Sequence, residues 1–90
     1  MTNGSGGHAP RIVVYTTPTC HWCVTAKRYI SQRGLEFTEV DVARNRRGLK
    51  QMVLMTGQHG VPVIQVGTHA MVGWDKHEFE RLVSGKFKHR

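Results

Sequence analysis

The two cysteines of this chain, Cys20 and Cys23, stand three positions apart directly after an apolar run at residues 12–15. The run predicts a strand covered on both faces, and Pro18 marks its end by biasing Thr17 toward an extended conformation. Cysteines at this spacing at the start of a helix lie on one face, close enough to switch between dithiol and disulfide. Because a helix N-terminus stabilises a thiolate, this strand-to-helix junction predicts thiol–disulfide redox chemistry.

The chain is short enough for a single core. It has 90 residues, of which 39% are hydrophobic, and this is typical of one small globular domain. We expect a flexible segment at residues 1–10, a domain at 11–85 and a basic tail at 86–90. No stretch approaches the roughly 18 apolar residues that cross a bilayer, and residues 1–10 lack a secretory pattern. A pair of cysteines cannot form a disulfide framework, so we expect a cytoplasmic protein.

The formal net charge is +7, with basic residues clustered at 44–47 and 86–90. Such clusters indicate an anionic partner, such as an acidic protein face or an anionic thiol, or they are a solvated helix start and tail. The sequence contains no nucleic-acid-binding module. We expect a monomer without a nucleic-acid or membrane partner.

The hydrophobic patterning predicts strands and helices in the order βαβαββα. Asp75, with Glu78 three residues on, predicts the start of the last helix through an aspartate version of the capping box. The first strand, helix and strand should form a right-handed unit with parallel strands. The expected strands are 11–16, 36–42, 63–66 and 69–72, and the expected helices are 20–33, 46–56 and 75–84.

Three local motifs, at residues 15–23, 60–62 and 73–75, give this pattern a family resemblance. With the order βαβαββα, they resemble the thioredoxin fold in its minimal, glutaredoxin size. The chain is similar to small bacterial dithiol glutaredoxins from about residue 11 to 84. The resemblance implies an α/β fold with a four-stranded mixed sheet flanked by helices.

The resemblance also implies roles for individual residues. Cys20 matches the exposed nucleophile, which attacks a disulfide, and Cys23 matches the buried cysteine that resolves the mixed disulfide. Pro62 matches a cis-proline facing the cysteines, and the backbone of Val61 would pair with an extended substrate. The other expected substrate or glutathione contacts are Thr17, His21, Trp22, Gly73, Trp74 and Asp75.

Several positions depart from the pattern common in glutaredoxins. Thr17 stands where many have a lysine for the glutathione carboxylate, and Trp74 stands where a glycine is common. We therefore expect no tightly bound cofactor, weak binding of glutathione as a candidate co-substrate, and disulfide-containing proteins as preferred substrates. The reductant would be glutathione or a thioredoxin-reductase-type system.

Three alternatives stay open from the sequence. The first is glutathione-dependent monothiol deglutathionylation by Cys20. The second is a metal or iron–sulfur carrier that uses the same cysteines, with His21 and His59 as further candidate ligands, although we assign no metal site. The third is a basic interaction module that retains an unused redox motif.

Overall fold

Four strands and three helices follow one another along residues 10–84, the part of the chain that the computed structural model describes. The order βαβαββα confirms the prediction, and the expected strand 36–42 is shorter because its pairing with the first strand begins at Thr38. The predicted N-terminal segment and basic tail lie outside the described residues, apart from Pro10. The elements are β1 (Ile12–Thr16), α1 (His21–Gln32), β2 (Thr38–Asp41), α2 (Arg46–Thr56), β3 (Val63–Val66), β4 (His69–Val72) and α3 (Lys76–Val83).

The four strands form one mixed sheet in the order β2-β1-β3-β4. β1 runs parallel to β2 and antiparallel to β3, and β3 is antiparallel to β4. In this register Thr16 pairs with Asp41, and Val63 pairs with both Tyr15 and Val72. The loops that follow β1, β2 and β4, and the loop that precedes β3, therefore meet at one end of the sheet. We call this the cysteine end, because the loop after β1 leads into Cys20.

Each face of the sheet has its own hydrophobic core. On one face, α1 and α3 bury Ile30 and Phe79 against Val14 and neighbouring strand residues. On the other face, Met52 of α2 packs against Tyr15 and its neighbours. Because successive side chains of a strand point to opposite faces, the apolar run of β1 supplies both cores. This explains why its sequence is continuously apolar. A strand with one exposed face would alternate between apolar and polar residues.

The helix boundaries follow from local signals in the sequence. Cys20 is the N-cap of α1, and its backbone N–H donates to the Thr17 carbonyl at 3.2 Å, forming the turn that leads into the helix. Gly57 ends α2 with a φ of 72°, a left-handed conformation that glycine adopts without steric cost. Asp75 caps α3 as predicted, but the predicted capping box is only half formed, because the Glu78 carboxylate binds Arg81 and not the backbone N–H of Asp75.

No helix within residues 10–84 combines the length and the apolar character that a membrane crossing requires.

Candidate active site

The cysteine pair is the centre of the candidate site, and its two members differ in exposure. Cys20 and Cys23 form a disulfide with their Cα atoms 5.2 Å apart. Cys23 is 1% exposed, whereas Cys20 is partly exposed. A substrate approaching from solvent therefore reaches Cys20 more readily than Cys23, and the roles of nucleophile and resolving cysteine stay predictions.

The backbone at the start of α1 is aimed at the Cys20 sulfur. The N–H of Cys23 donates to Cys20 Sγ at 3.1 Å, so the sulfur takes the place that a serine or aspartate oxygen normally has at an N-cap. A hydrogen bond to a charged acceptor is stronger than one to a neutral acceptor. Together with the helix dipole, this N–H favours the thiolate over the thiol when the pair is reduced. The first turn of α1 carries no acidic residue to oppose this effect.

The Cys23 sulfur lies in a different environment. It lies 4.0 Å from the backbone carbonyl oxygen of Tyr15, which is buried near the end of β1. A carbonyl accepts a hydrogen bond from a thiol but repels a thiolate, and burial further disfavours the charge. When the pair is reduced, these surroundings favour the neutral thiol at Cys23, in contrast to the surroundings of Cys20.

The two residues between the cysteines are both exposed. The rings of His21 and Trp22 meet edge to face, with their centroids 5.7 Å apart. Trp22 remains 57% exposed and is one of the few large apolar side chains with this exposure in residues 10–84. Its indole ring is therefore accessible to a ligand, and its role as a binding platform stays a prediction.

The loop before β3 brings Val61 and Pro62 to the cysteine end. The peptide bond between them is cis, as predicted. The Pro62 carbonyl accepts the N–H of Gly73 at 2.8 Å, which ties this loop to the end of β4. Within residues 10–84, neither the N–H nor the C=O of Val61 makes a hydrogen bond. Both groups can therefore pair with an extended chain.

The loop after β4 is partly engaged in the core. Gly73 has a φ of 86°, so it turns the chain in the left-handed region. The Trp74 ring that follows packs against Tyr29 and Phe79, with centroids 5.4 Å from each. The structure thus gives Trp74 a packing role. The sequence places Trp74 among the ligand contacts, and this ligand-binding role stays a prediction.

Asp75 also has a structural role at this position. Its carboxylate accepts the N–H groups of His77 at 3.0 Å and Glu78 at 3.2 Å. The sequence suggested that the start of this helix would offer N–H donors to a ligand carboxylate. Two of these donors are already satisfied by Asp75, because an N-cap side chain competes for the same groups.

A charged network at the end of β1 was not predicted from the sequence. Thr16, buried at the end of β1, donates to Glu39 Oε2 at 2.9 Å, and Lys27 Nζ lies 2.8 Å from the same oxygen. The hydrogen bond from Lys27, helped by that from Thr16, lowers the pKa of Glu39. These residues are distant in the sequence, so only the parallel register of β1 and β2 could have predicted the network.

The structure places the remaining candidates as follows. Thr17 is half-buried, and its carbonyl holds the turn before Cys20. His59, considered with His21 as a metal ligand, is exposed in the loop before β3. Among residues 10–84, no three His, Cys, Asp or Glu side chains are grouped closely enough to hold a metal ion.

Comparison with known proteins identifies what this chain resembles. A family model described as Glutaredoxin matches residues 12–71. The chain is 36% identical over 72 residues to an uncharacterized glutaredoxin-like 8.6 kDa protein in the rubredoxin operon of Clostridium pasteurianum, covering 80% of this chain and 96% of that protein.

Solved structures are similar over most of the chain. The glutaredoxin of Archaeoglobus fulgidus has a TM-score of 0.75 at 18% identity, over 86% of this chain and 88% of that one. The glutaredoxin-like NrdH-redoxin of Escherichia coli has a TM-score of 0.70 at 28% identity, over 80% of this chain and 93% of that one. The first shows the fold, which is thioredoxin-like with a four-stranded mixed sheet and three helices.

Proposed function

The chain belongs to the glutaredoxin family, and on that premise we propose that it is a dithiol–disulfide oxidoreductase. Proteins of this family are thiol–disulfide oxidoreductases. The observation that carries the proposal is the asymmetry of the pair. The partly exposed Cys20 sulfur accepts a backbone N–H at a helix start, while Cys23 is buried against a carbonyl.

The proposed reaction begins with the Cys20 thiolate. It attacks one sulfur of a substrate disulfide, forms a mixed disulfide and releases the other substrate sulfur as a thiolate, which takes up a proton. Cys23 then loses its proton and attacks the Cys20 sulfur. The second substrate thiol leaves, the substrate has gained two electrons and two protons, and Cys20–Cys23 is oxidised.

We propose protein disulfides as preferred substrates, with low-molecular-weight disulfides also reduced. Glutaredoxins use glutathione as a co-substrate, and weak glutathione binding is expected here because Thr17 carries no charge. The N–H groups of His77 and Glu78 are already bound to Asp75, so fewer donors remain for a glutathione carboxylate. The NrdH-redoxin of Escherichia coli is described as having a thioredoxin-like activity profile, which makes a thioredoxin-reductase-type reductant the matching candidate for this chain.

We also propose that the protein is a monomer and acts in the cytoplasm. A reducing compartment keeps the pair available as a dithiol between turnovers. The proposal includes no tightly bound cofactor.

Turnover with two reducing systems tests the proposal. Insulin reduction is followed with glutathione plus glutathione reductase and, separately, with a thioredoxin reductase. We expect turnover with the thioredoxin reductase and weak turnover with glutathione. Turnover with glutathione alone, together with tight glutathione binding, would make this an ordinary dithiol glutaredoxin. No turnover in either system would reject the oxidoreductase assignment.

Two further measurements distinguish the alternatives. A Cys23→Ser variant with full activity toward a glutathione mixed disulfide would indicate monothiol deglutathionylation by Cys20. A coloured protein with stoichiometric iron by elemental analysis would indicate a cluster carrier.

A further inference from the structure

Three exposed arginines surround a helix start where acidic residues are normally favoured. Arg46 and Arg47 open α2, and Arg44 lies just before the N-cap of this helix. The N-terminal end of a helix is positive, so cations in its first turn are unfavourable. The first turn of α2 contains no acidic residue, and its cap is the neutral Asn45, which accepts the Gly48 N–H at 2.8 Å. Helix stability therefore does not explain this arginine cluster, by which we mean Arg44, Arg46 and Arg47.

The protein itself neutralises little of this charge. Arg44 Nε lies 3.8 Å from Asp41 Oδ2, and the Arg44 side chain is 83% exposed. The other Asp41 oxygen is occupied by the backbone N–H of Ala43. Within residues 10–84, Arg46 and Arg47 form no ion pair. This surface therefore keeps an excess of positive charge.

The register of the sheet places the start of α2, and with it the arginine cluster, at the cysteine end, although α1 and α2 pack on opposite faces of the sheet. Asp41, the last residue of β2, pairs with Thr16, the last residue of β1. One segment continues from Thr16 to Cys20, and the neighbouring segment continues from Asp41 into the arginine cluster. Since paired strands lie about 4.8 Å apart, both segments emerge side by side at the cysteine end.

We propose that the arginine cluster binds an acidic segment that flanks the disulfide of a protein substrate. This inference rests on the proposed function and names the substrate class. Guanidinium groups bind carboxylates through paired, charge-assisted hydrogen bonds. The other features of this end suit a polypeptide: Trp22 is an exposed apolar surface, and the Val61 backbone is free to pair with an extended chain. A peptide with carboxylates beside its disulfide could contact the arginine cluster, Trp22 and the Val61 backbone.

The test measures a single turnover, so that no added reductant is needed. The full chain is reduced, freed of reductant and mixed with short peptides that are each closed by one disulfide. Two electrons pass from the reduced cysteine pair to the peptide disulfide, and the two peptide sulfurs take up one proton from Cys23 and one from the solvent. One peptide has Asp and Glu beside its cysteines, a second has Asn and Gln at the same positions, and a third has Lys.

The matched variants each lower the formal charge by two. Arg46→Gln with Arg47→Gln removes part of the arginine cluster. Arg11→Gln with Arg28→Gln removes two exposed arginines, one before β1 at the opposite end of the sheet and one on the solvent side of α1. The basic tail is kept in every variant.

We expect the wild-type protein to reduce the acidic peptide about 10-fold faster than the neutral one at low ionic strength. This preference should shrink as salt is added. It should largely disappear in the Arg46/Arg47 variant and persist in the Arg11/Arg28 variant. Equal rates for all three peptides, or equal loss in both variants, would overturn the proposal. Failure to reduce any peptide would reject the oxidoreductase function itself.

Discussion

At the scale of single residues, the two cysteines owe their different chemistry to their surroundings. Cys20 Sγ accepts the N–H of Cys23, and Cys23 Sγ faces the carbonyl of Tyr15. The first contact favours a negative sulfur, and the second disfavours one. The spacing of the cysteines and the helix start could be read from the sequence. The carbonyl that faces Cys23 could not, because it depends on how α1 packs against β1.

We predict that the pKa of the reduced Cys20 thiol lies well below the value of about 8.5 for a free thiol. The rate of iodoacetamide alkylation, measured against pH in a Cys23→Ser variant, reports this pKa directly. Cysteine in a short unstructured peptide is the control. A midpoint near that of the peptide would show that the helix start does not activate the sulfur.

The two tryptophans should respond differently to truncation. Trp22 is exposed beside Cys20, whereas Trp74 packs against the rings of Tyr29 and Phe79. Trp22→Ala should leave the free energy of unfolding within about 0.5 kcal/mol of the wild type and slow the reduction of protein disulfides. Trp74→Ala should destabilise the fold by about 3 kcal/mol. Urea unfolding with insulin reduction measures both effects, and a reversal of this pattern would contradict the assigned roles.

At the scale of elements, one carboxylate of α3 adds a polar contact with α1 to the hydrophobic core that the two helices share. Glu80 of α3 accepts hydrogen bonds from the Tyr29 hydroxyl and from Arg33, whose Nε and Nη2 each lie 2.6 Å from a carboxylate oxygen. The Arg33 bonds, followed by that from Tyr29, lower the pKa of Glu80 to about 2. This contact joins the helix that starts at Cys20 to the helix that closes the domain.

We predict that Glu80→Gln lowers the melting temperature at pH 7 by about 4 °C. The folded-state pKa is depressed, so the stabilisation is complete above the unfolded value of about 4.5. It is lost as the pH falls toward 2. The difference in melting temperature between Glu80→Gln and the wild type should therefore shrink as the pH is lowered from 5 to 2. Glu36→Gln, at an exposed loop position, is the control, and a difference that does not change with pH would contradict this role.

At the scale of the whole molecule, the sheet register decides which loops meet. The sequence predicted the element order, the cap at Asp75 and the cysteine motif, because these depend on local patterns. It did not predict that Glu39 reaches Thr16 and Lys27, or that Tyr29 and Arg33 bind Glu80. These contacts join residues that are far apart in the chain, so they arise only when the strands and helices pack.

The sequence also could not separate the roles of residues at the cysteine end. Val61 keeps its backbone free within residues 10–84, in line with substrate pairing. Trp74 and Asp75 share the same end, but they are engaged by neighbouring rings and by helix N–H groups. A family motif predicts where such residues lie, and their contacts in this chain show what else they do.

The most direct test of the central claim is trapping of the mixed disulfide. The Cys20→Ser and Cys23→Ser proteins are each mixed with a protein that contains a disulfide. The products are analysed by mass spectrometry in the absence of reductant, so that a mixed disulfide is preserved. We predict a covalent complex through Cys20 in the Cys23→Ser protein and none in the Cys20→Ser protein. Equal trapping by both variants, or trapping through Cys23 alone, would contradict the assignment of Cys20 as nucleophile.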